Sequence, residues 1–284
     1  MAKSWSTPPG EALRVAPGFD LATADLSATP GWEHGESAAG KRLVKDGEHL
    51  SEAQERLFAQ GRSGGTRSVL LVLQGMDTAG KGGIVRHVLG LVDPQGVQLH
   101  SFGVPTEKER SQHYLQRIRE ALPVPGRIGV FDRSHYEDVL VVRVNELVPP
   151  EVWEPRYDEI NAFEREVTDA GTVIVKVALL VSRAEQKARL GERLERPDKY
   201  WKYNPGDVDE RAKWTRYQQA YQAVLDRTST DVAPWHAVPA DNKWFARLAV
   251  GRLLRDAVEG LDLDWPPADF DVEAEKLRLD AQPF

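Results

Sequence analysis

The sequence predicts an α/β fold in which a parallel sheet is covered on both faces by helices. Three observations carry that prediction. Apolar strand-like runs alternate with helical patterns along the chain, TVIVKVALLV at 172–181 is almost wholly apolar, and 69–89 reads as strand, glycine-rich loop and helix. Strand and helix in alternation are the signature of crossover-connected parallel strands. A run with one polar residue in its middle fits a strand buried on both faces.

The elements follow in order. Residues 1 to about 45 are rich in Pro, Gly, Ala and Ser with little periodicity; they read either as an extended arm over the domain or as a disordered segment. Helical spacing covers about 51–60, and GRSGGT at 61–66 turns the chain into a first strand at 69–73. A second strand is expected at 97–102, then a helix at about 107–122 ended by PVPG at 123–126, then a short strand at 128–131. Helices are expected at 137–147 and 150–170, followed by the 172–181 strand and helices at 183–194 and 208–226. A last strand at 236–238 precedes a helix at 242–258. The chain of 284 residues thus divides into an arm at 1–48, a core at 49–265 and a tail at 266–284.

The loop carries the chemistry. Gly75, Gly80 and Lys81 satisfy the spacing G-x-x-x-x-G-K between a strand and a helix. Glycines let successive backbone N–H groups curl around a phosphate, and the lysine adds a mobile positive charge. Two departures stand out: Gly82 occupies the position where such loops usually place the Ser or Thr that holds magnesium, and Asp77 sits inside the loop. A carboxylate beside phosphates makes sense where it faces a bridging metal ion, whereas Thr78 precedes the lysine and is a poorer substitute.

A second element, RIGVFDRSHYEDVLVVRV at 127–144, is an apolar strand ending in an acid. Asp132 at that strand end would lie beside the loop to hold or orient magnesium, or would cap the following helix. Arg133 suits a transferring phosphoryl group or a surface ion pair, and His135 reads as a structural histidine. Composition sets further bounds. The absence of cysteine excludes disulfides, thiolate metal sites and a cysteine nucleophile. The net charge of −7 argues against a nucleic-acid coat. No apolar run approaches the ~20 residues of a membrane span and the N-terminus lacks a signal-like apolar core, so a cytoplasmic protein with no membrane partner is expected. Charge is uneven: 183–216 holds ten Lys/Arg against seven Asp/Glu, net +3, which leaves −10 elsewhere. Tyr200, Trp201, Tyr203 and Trp214 in that window would stack a base or, the favoured reading, belong to the core.

With both motifs placed, the chain resembles the polyphosphate kinase 2 family over about 52–265. The likeness rests on GMDTAGKGG (75–83), SFGVPTE (101–107), FDRSHYEDVLVVRV (131–144) and RYDEINAFE (156–164). It continues through ERLERPDKYWKYNPGDVDERAKW (192–214), TSTDVAPWHAVPADNKWF (228–245) and LDWPPADFDVE (263–273). The resemblance implies a P-loop kinase-like three-layer α/β/α sandwich with a parallel central sheet and a helical lid at about 193–215. It further implies reversible phosphoryl transfer between inorganic polyphosphate and nucleotides, AMP, ADP and ATP first and guanine nucleotides next. Mg2+ is the implied cofactor, with Mn2+ as an alternative.

On this likeness Asp77 and Asp132 match the acidic pair assigned to metal binding and acceptor activation, and Lys81 and Arg133 match the phosphate-holding cations. Arg193, Lys199 and Lys202 are the lid cations chosen to meet polyphosphate. Gly75, Met76, Thr78, Ala79, Gly80, Gly82 and Gly83, with Glu137, form the expected phosphate- and nucleotide-binding set. The YED form at 136–138 resembles members that accept monophosphates as well as diphosphates. A homo-oligomer, dimer or tetramer, is implied, with no nucleic-acid partner. Two alternatives stay open: an ATP-dependent kinase of small molecules, against which Gly82 and Asp77 count, and a polyphosphate-binding protein without turnover.

Overall fold

Five short strands, all parallel, make the central sheet of the computed structural model, which describes residues 4–283. They are β1 (Ser68–Gln74), β2 (Val97–Ser101), β3 (Ile128–Asp132), β4 (Thr172–Leu180) and β5 (Trp235–Pro239), in the order β2-β3-β1-β4-β5. The helices that matter below are α1 (Glu36–Arg62), α2 (Lys81–His87), α3 (Arg156–Asp169), α4 (Arg183–Glu195), α5 (Gly206–Ala212), α6 (Trp214–Thr228) and α7 (Lys243–Glu259).

β1 is buried along its whole length, and its side chains alternate between two cores. Val69, Leu71 and Leu73 join α1, α2 and α7 through Leu50, Leu57, Ile84, Phe245 and Leu248. Leu70 and Val72 join α3 and α6 through Tyr157, Ile160, Val224 and Leu225, with Phe131 and Trp235 from the sheet. Each such buried side chain contributes about 1.5–3 kcal/mol relative to exposure, so the two faces lock the central strand between them. This is the expected α/β/α sandwich. Register sets the site: Leu73 pairs with Asp132, so the loops after β1 and β3 leave the sheet side by side at its carboxyl edge.

The structure corrects several expected boundaries. The helix expected at 51–60 begins at Glu36, inside the stretch read as an arm. Its periodicity is hidden because its buried face includes Ala39, Asp46 and Gly47: Asp46 is paired with Arg42 and Arg255, and Gly47 lies against Leu91. The expected 107–122 helix is two pieces, Glu107–Arg110 and Gln116–Ala121. The 137–147 helix is a 3-10 turn at His135–Asp138 and a single turn at Val141–Val144, and the 150–170 helix breaks before α3 at Pro155. The 208–226 helix is α5 and α6, interrupted at Lys213.

Ahead of α1 the chain lies along the domain as a strap. Val15 N–H donates to Trp235 and Ala237 N–H to Leu13, so the segment covers the free edge of β5 in antiparallel sense. Met1–Lys3 and Phe284 lie outside the described residues. Further on, Leu21 and Leu26 of the strap reach Met76 of the phosphate loop around a small gap shared with Tyr221. At the other end, the Val272–Asp280 helix buries none of its residues. Among the described residues no helix is long and apolar enough to cross a membrane.

Candidate active site

The loop between β1 and α2 is held by geometry that tolerates few substitutions. Gly75 is pressed against β4, where a Cβ would stand 2.7 Å from the Leu179 carbonyl oxygen. Gly80 takes a left-handed φ of 117° to launch α2, and Thr78 adopts φ 66° despite its branched side chain. Such a conformation costs about 1–3 kcal/mol and persists where its surroundings impose it. The surroundings here are α4 and its neighbours. Arg189, buried, donates to the carbonyls of Thr78 (2.8 Å) and Ala79 (3.2 Å), and to those of Ala240 (2.6 Å) and Asp241 (3.0 Å). Gln186, one turn earlier, donates to the Asp77 carbonyl at 3.2 Å. The Thr78 hydroxyl is buried with no partner among the described residues.

Lys81 folds back to donate from Nζ to the Gly75 carbonyl at 2.6 Å. Burial pulls its ammonium below the ordinary lysine range, and Asp77, Asp132 and Glu137 partly offset that while Arg133 adds to it. Past the end of β3 the chain kinks: Arg133 N–H still donates to Leu73, then the residue adopts a left-handed φ of 64°. The turn brings its guanidinium to Asp77 Oδ1 at 3.2 Å. Burial would lower Arg133, but Glu137, Asp77 and Asp132 outweigh it and raise it. Glu137 is pushed above the ordinary carboxyl range by burial, against the pull of Arg133 and Lys81. Gln74 joins the strand ends: with its amide oriented to satisfy both atoms, it donates to Glu137 Oε1 (3.1 Å) and accepts from Ser134. Ser134, not Asp132, caps the His135–Asp138 turn, which leaves the Asp132 carboxylate without a protein partner among the described residues.

Asp77, Lys81, Asp132, Arg133 and Glu137 therefore lie within electrostatic reach of one another at the carboxyl ends of β1 and β3. Asp77, Arg133 and Glu137 line a cleft of about 480 Å3 that is closed on the other side by α5 and the start of α6. The lid chemistry departs from a simple basic flap. Arg193 is tied to Asp207 (3.1 Å) and to the Lys202 carbonyl (2.9 Å), Lys199 pairs with Asp198 (3.1 Å), and Lys202 stacks on Trp201. Asp207, Asp209 and Glu210 face the cleft together with Arg211 and Lys213. Trp201 (78% exposed) and Tyr200 (54%) are not core residues, contrary to expectation, since the 3-10 turn that carries them stands off the domain. Tyr217 and Tyr221 of α6 are the aromatics that line the cleft.

His135 is structural. It lies behind the site, fully buried, 3.2 Å from Glu164, which also accepts from Tyr136 (2.7 Å) and Lys176 (2.6 Å). Sequence reasoning did not single out Arg189, Gln186, Gln74, Asp207 or Tyr217. The only signal was polar residues at inward positions of amphipathic elements.

Hard oxygen donors at the mouth of a phosphate loop fit magnesium, which keeps waters and substrate phosphates and needs only one or two carboxylates from the protein. Asp77 and Asp132 could supply two. A glycine loop at the carboxyl edge of a parallel sheet, with paired acids, cations and a helical lid, defines a P-loop phosphotransferase of the kinase type.

The comparisons make the class specific. The Polyphosphate kinase 2 (PPK2) family model matches residues 34–264, and the chain belongs to that family. It is 45% identical over 262 residues to the AMP/ADP-polyphosphate phosphotransferase of Meiothermus ruber, covering 92% of this chain and 96% of that one. It is 42% identical to the ADP-polyphosphate phosphotransferase of Rhodopseudomonas palustris, over 83% of this chain and 84% of that one. A crystal structure of polyphosphate kinase 2 from Arthrobacter aurescens TC1 superposes with a TM-score of 0.96 at 50% identity, over 99% of both chains.

Proposed function

We propose that the protein transfers phosphoryl groups reversibly between inorganic polyphosphate and nucleoside mono- and diphosphates. The observation that carries this reading is the convergence of Asp77, Lys81, Asp132, Arg133 and Glu137 on one phosphate loop, in a chain of this family. Loop N–H groups and Lys81 hold the donor's terminal phosphates, and Arg133 meets the charge that spreads over the equatorial oxygens in the transition state. An acceptor phosphate oxygen forms the new O–P bond in line as the donor's bridging P–O bond breaks. The electron pair leaves with a polyphosphate chain one unit shorter.

Asp132, without a protein partner among the described residues, orients the acceptor, and Asp77 steadies Arg133. These two carboxylates would hold Mg2+, or Mn2+ in its place, which supplies neutralisation of the phosphates when bound. No general base is required, because the nucleophile is already an anion. Closure of the lid, about 193–215, exchanges its internal ion pairs for the substrate and excludes water, limiting hydrolysis. We place the protein in the cytoplasm, as a dimer or tetramer, with guanine nucleotides as further acceptors.

The test is incubation with Mg2+ and long-chain polyphosphate plus AMP, ADP, GMP or GDP, resolved by anion exchange. ADP and ATP formed from AMP establish both steps. ATP from ADP alone restricts the acceptor to diphosphates. No product with any acceptor contradicts the reading.

A further inference from the structure

Two rows of side chains lead away from Lys81 along adjacent helices. On α2, Gly82, Gly83 and Arg86 share a face at helical spacing; on α7, which packs against α2, Lys243 and Arg247 stand four residues apart. A Cβ at Gly83 would lie 3.9 Å from the Arg247 guanidinium, and one at Gly82 would meet nothing within 4 Å, so the surface between the rows is open.

The cations here are poorly compensated. Arg86 and Arg247 have no hydrogen-bond or ion-pair partner among the described residues, although Arg247 is half-buried. Burial holds Arg247 below the ordinary arginine range; Glu36, the strongest charge acting on it, opposes this, and Arg189 and Arg86 add to the depression. His87 is depressed in the same way, by burial and then by Arg247 and Arg86. Lys243 has one long contact, 3.6 Å to the half-exposed Glu192. Like charges left together with little counter-charge repel, and a polyanion relieves that repulsion. The lid contrasts with this patch, since Arg193, Arg196, Lys199 and Lys213 are each already paired with a carboxylate.

We propose that this patch holds the tail of the polyphosphate donor, its chain running from Lys81 over Gly82 and Gly83 to Arg86 and Arg247. The proposal rests on the polyphosphate reading above and adds to it a track for phosphates remote from the reacting one. Glycine at 82 and 83 gives the chain a floor without side chains. Arg86 lies five residues beyond Lys81, roughly 7.5 Å along the helix axis, so a donor with more phosphates engages more of the row. The patch therefore contributes to chain-length preference.

The experiment compares the wild-type protein with the double variant Arg86→Gln/Arg247→Gln, using long-chain polyphosphate and linear tripolyphosphate as donors to ADP. Where tripolyphosphate transfers too slowly, its inhibition constant against the long chain replaces the rate. Arg278→Gln, on the exposed C-terminal helix, controls for lost charge alone, and melting temperatures check the fold. The double variant is expected to raise the long-chain KM about tenfold or more, with a change under twofold for tripolyphosphate. Its dependence of log KM on log salt should flatten by about one to two, as two phosphate contacts are lost. An unchanged long-chain KM, or an equal loss with both donors, overturns the track. A wild-type protein that uses no polyphosphate at all refutes the underlying activity instead, which separates the two failures.

Discussion

Two lysines show how differently one residue type is used in this molecule. Lys176 lies in the middle of β4, wholly buried, and donates to Glu164 (2.6 Å), to Tyr136 (2.8 Å) and to the Thr228 carbonyl (2.7 Å). Every ammonium proton is used, and the tie joins α3, α6 and the turn that carries Glu137. Lys81 stands at the front of the sheet with a single contact, to a carbonyl of its own loop. Burial depresses both ammonium groups, yet only the first has a full complement of partners. Groups that complete each other inside hold the scaffold, and groups left incomplete at the carboxyl edge await a ligand.

The comparison can be broken from either side. The largest effect is expected from Lys176→Met, which leaves Glu164 buried opposite nothing but His135 and Tyr136. Loss of one partner from such a pair costs about 3–5 kcal/mol, measurable by denaturant unfolding. Without Lys176 the Glu164 carboxyl rises above its ordinary value, so the cost should be full at neutral pH and shrink as pH falls through that raised value.

Lys81→Ala should do the reverse. Turnover is expected to fall by about 10²–10³-fold. Stability should hold or rise at pH 7.5, because a lysine depressed by burial costs stability wherever it is charged, below its folded pKa. A melting temperature lowered by several degrees would show that Lys81 is part of the scaffold after all.

Arg189→Met tests the link between the two regions. Four carbonyls lose a donor, two of them in the phosphate loop, with an expected loss of about 1–3 kcal/mol. A tenfold or greater drop in kcat should accompany it as the loop shifts, on the order expected for misplaced reacting groups. An intact kcat in a destabilised protein would detach Arg189 from loop geometry.

Glu137→Gln is the smallest perturbation. The folded pKa is raised above the ordinary 4.5, so ionised Glu137 costs stability above that raised value and the cost is relieved as pH falls. The variant should melt slightly higher than the wild type at neutral pH, and the difference should vanish near pH 4.5 or below.

Much of this was legible in the chain. The inner strands of the sheet are largely apolar runs, unlike the edge strand VQLHS at 97–101, and the loop at 75–83 announces itself by spacing. Asp132 and Arg133 follow from an apolar strand ending in an acid. Three things were not readable. α1 hides because small and paired polar residues, Ala39, Gly47 and Asp46, form part of its inner face. Arg189 looks like one more cation on an amphipathic helix, since carbonyl acceptors supplied by distant loops leave no trace in local sequence. Lys176 within TVIVKVALL looks like an interruption, because Glu164 and Thr228 come from elements brought together only by the fold. The lid aromatics Tyr200 and Trp201 misled for the opposite reason: large apolar rings predict burial, and here they stand in solvent.

We propose that groups left without full partners beyond β1 and β3 perform the transfer, and Asp132 is the residue whose loss bears on this first. We would measure ATP formation from ADP, Mg2+ and long-chain polyphosphate by the wild type and by Asp132→Asn, alongside their melting curves. The wild type is expected to form ATP, the variant to fall by about 10²-fold or more, and the two melting curves to superimpose. Full activity in Asp132→Asn would contradict it.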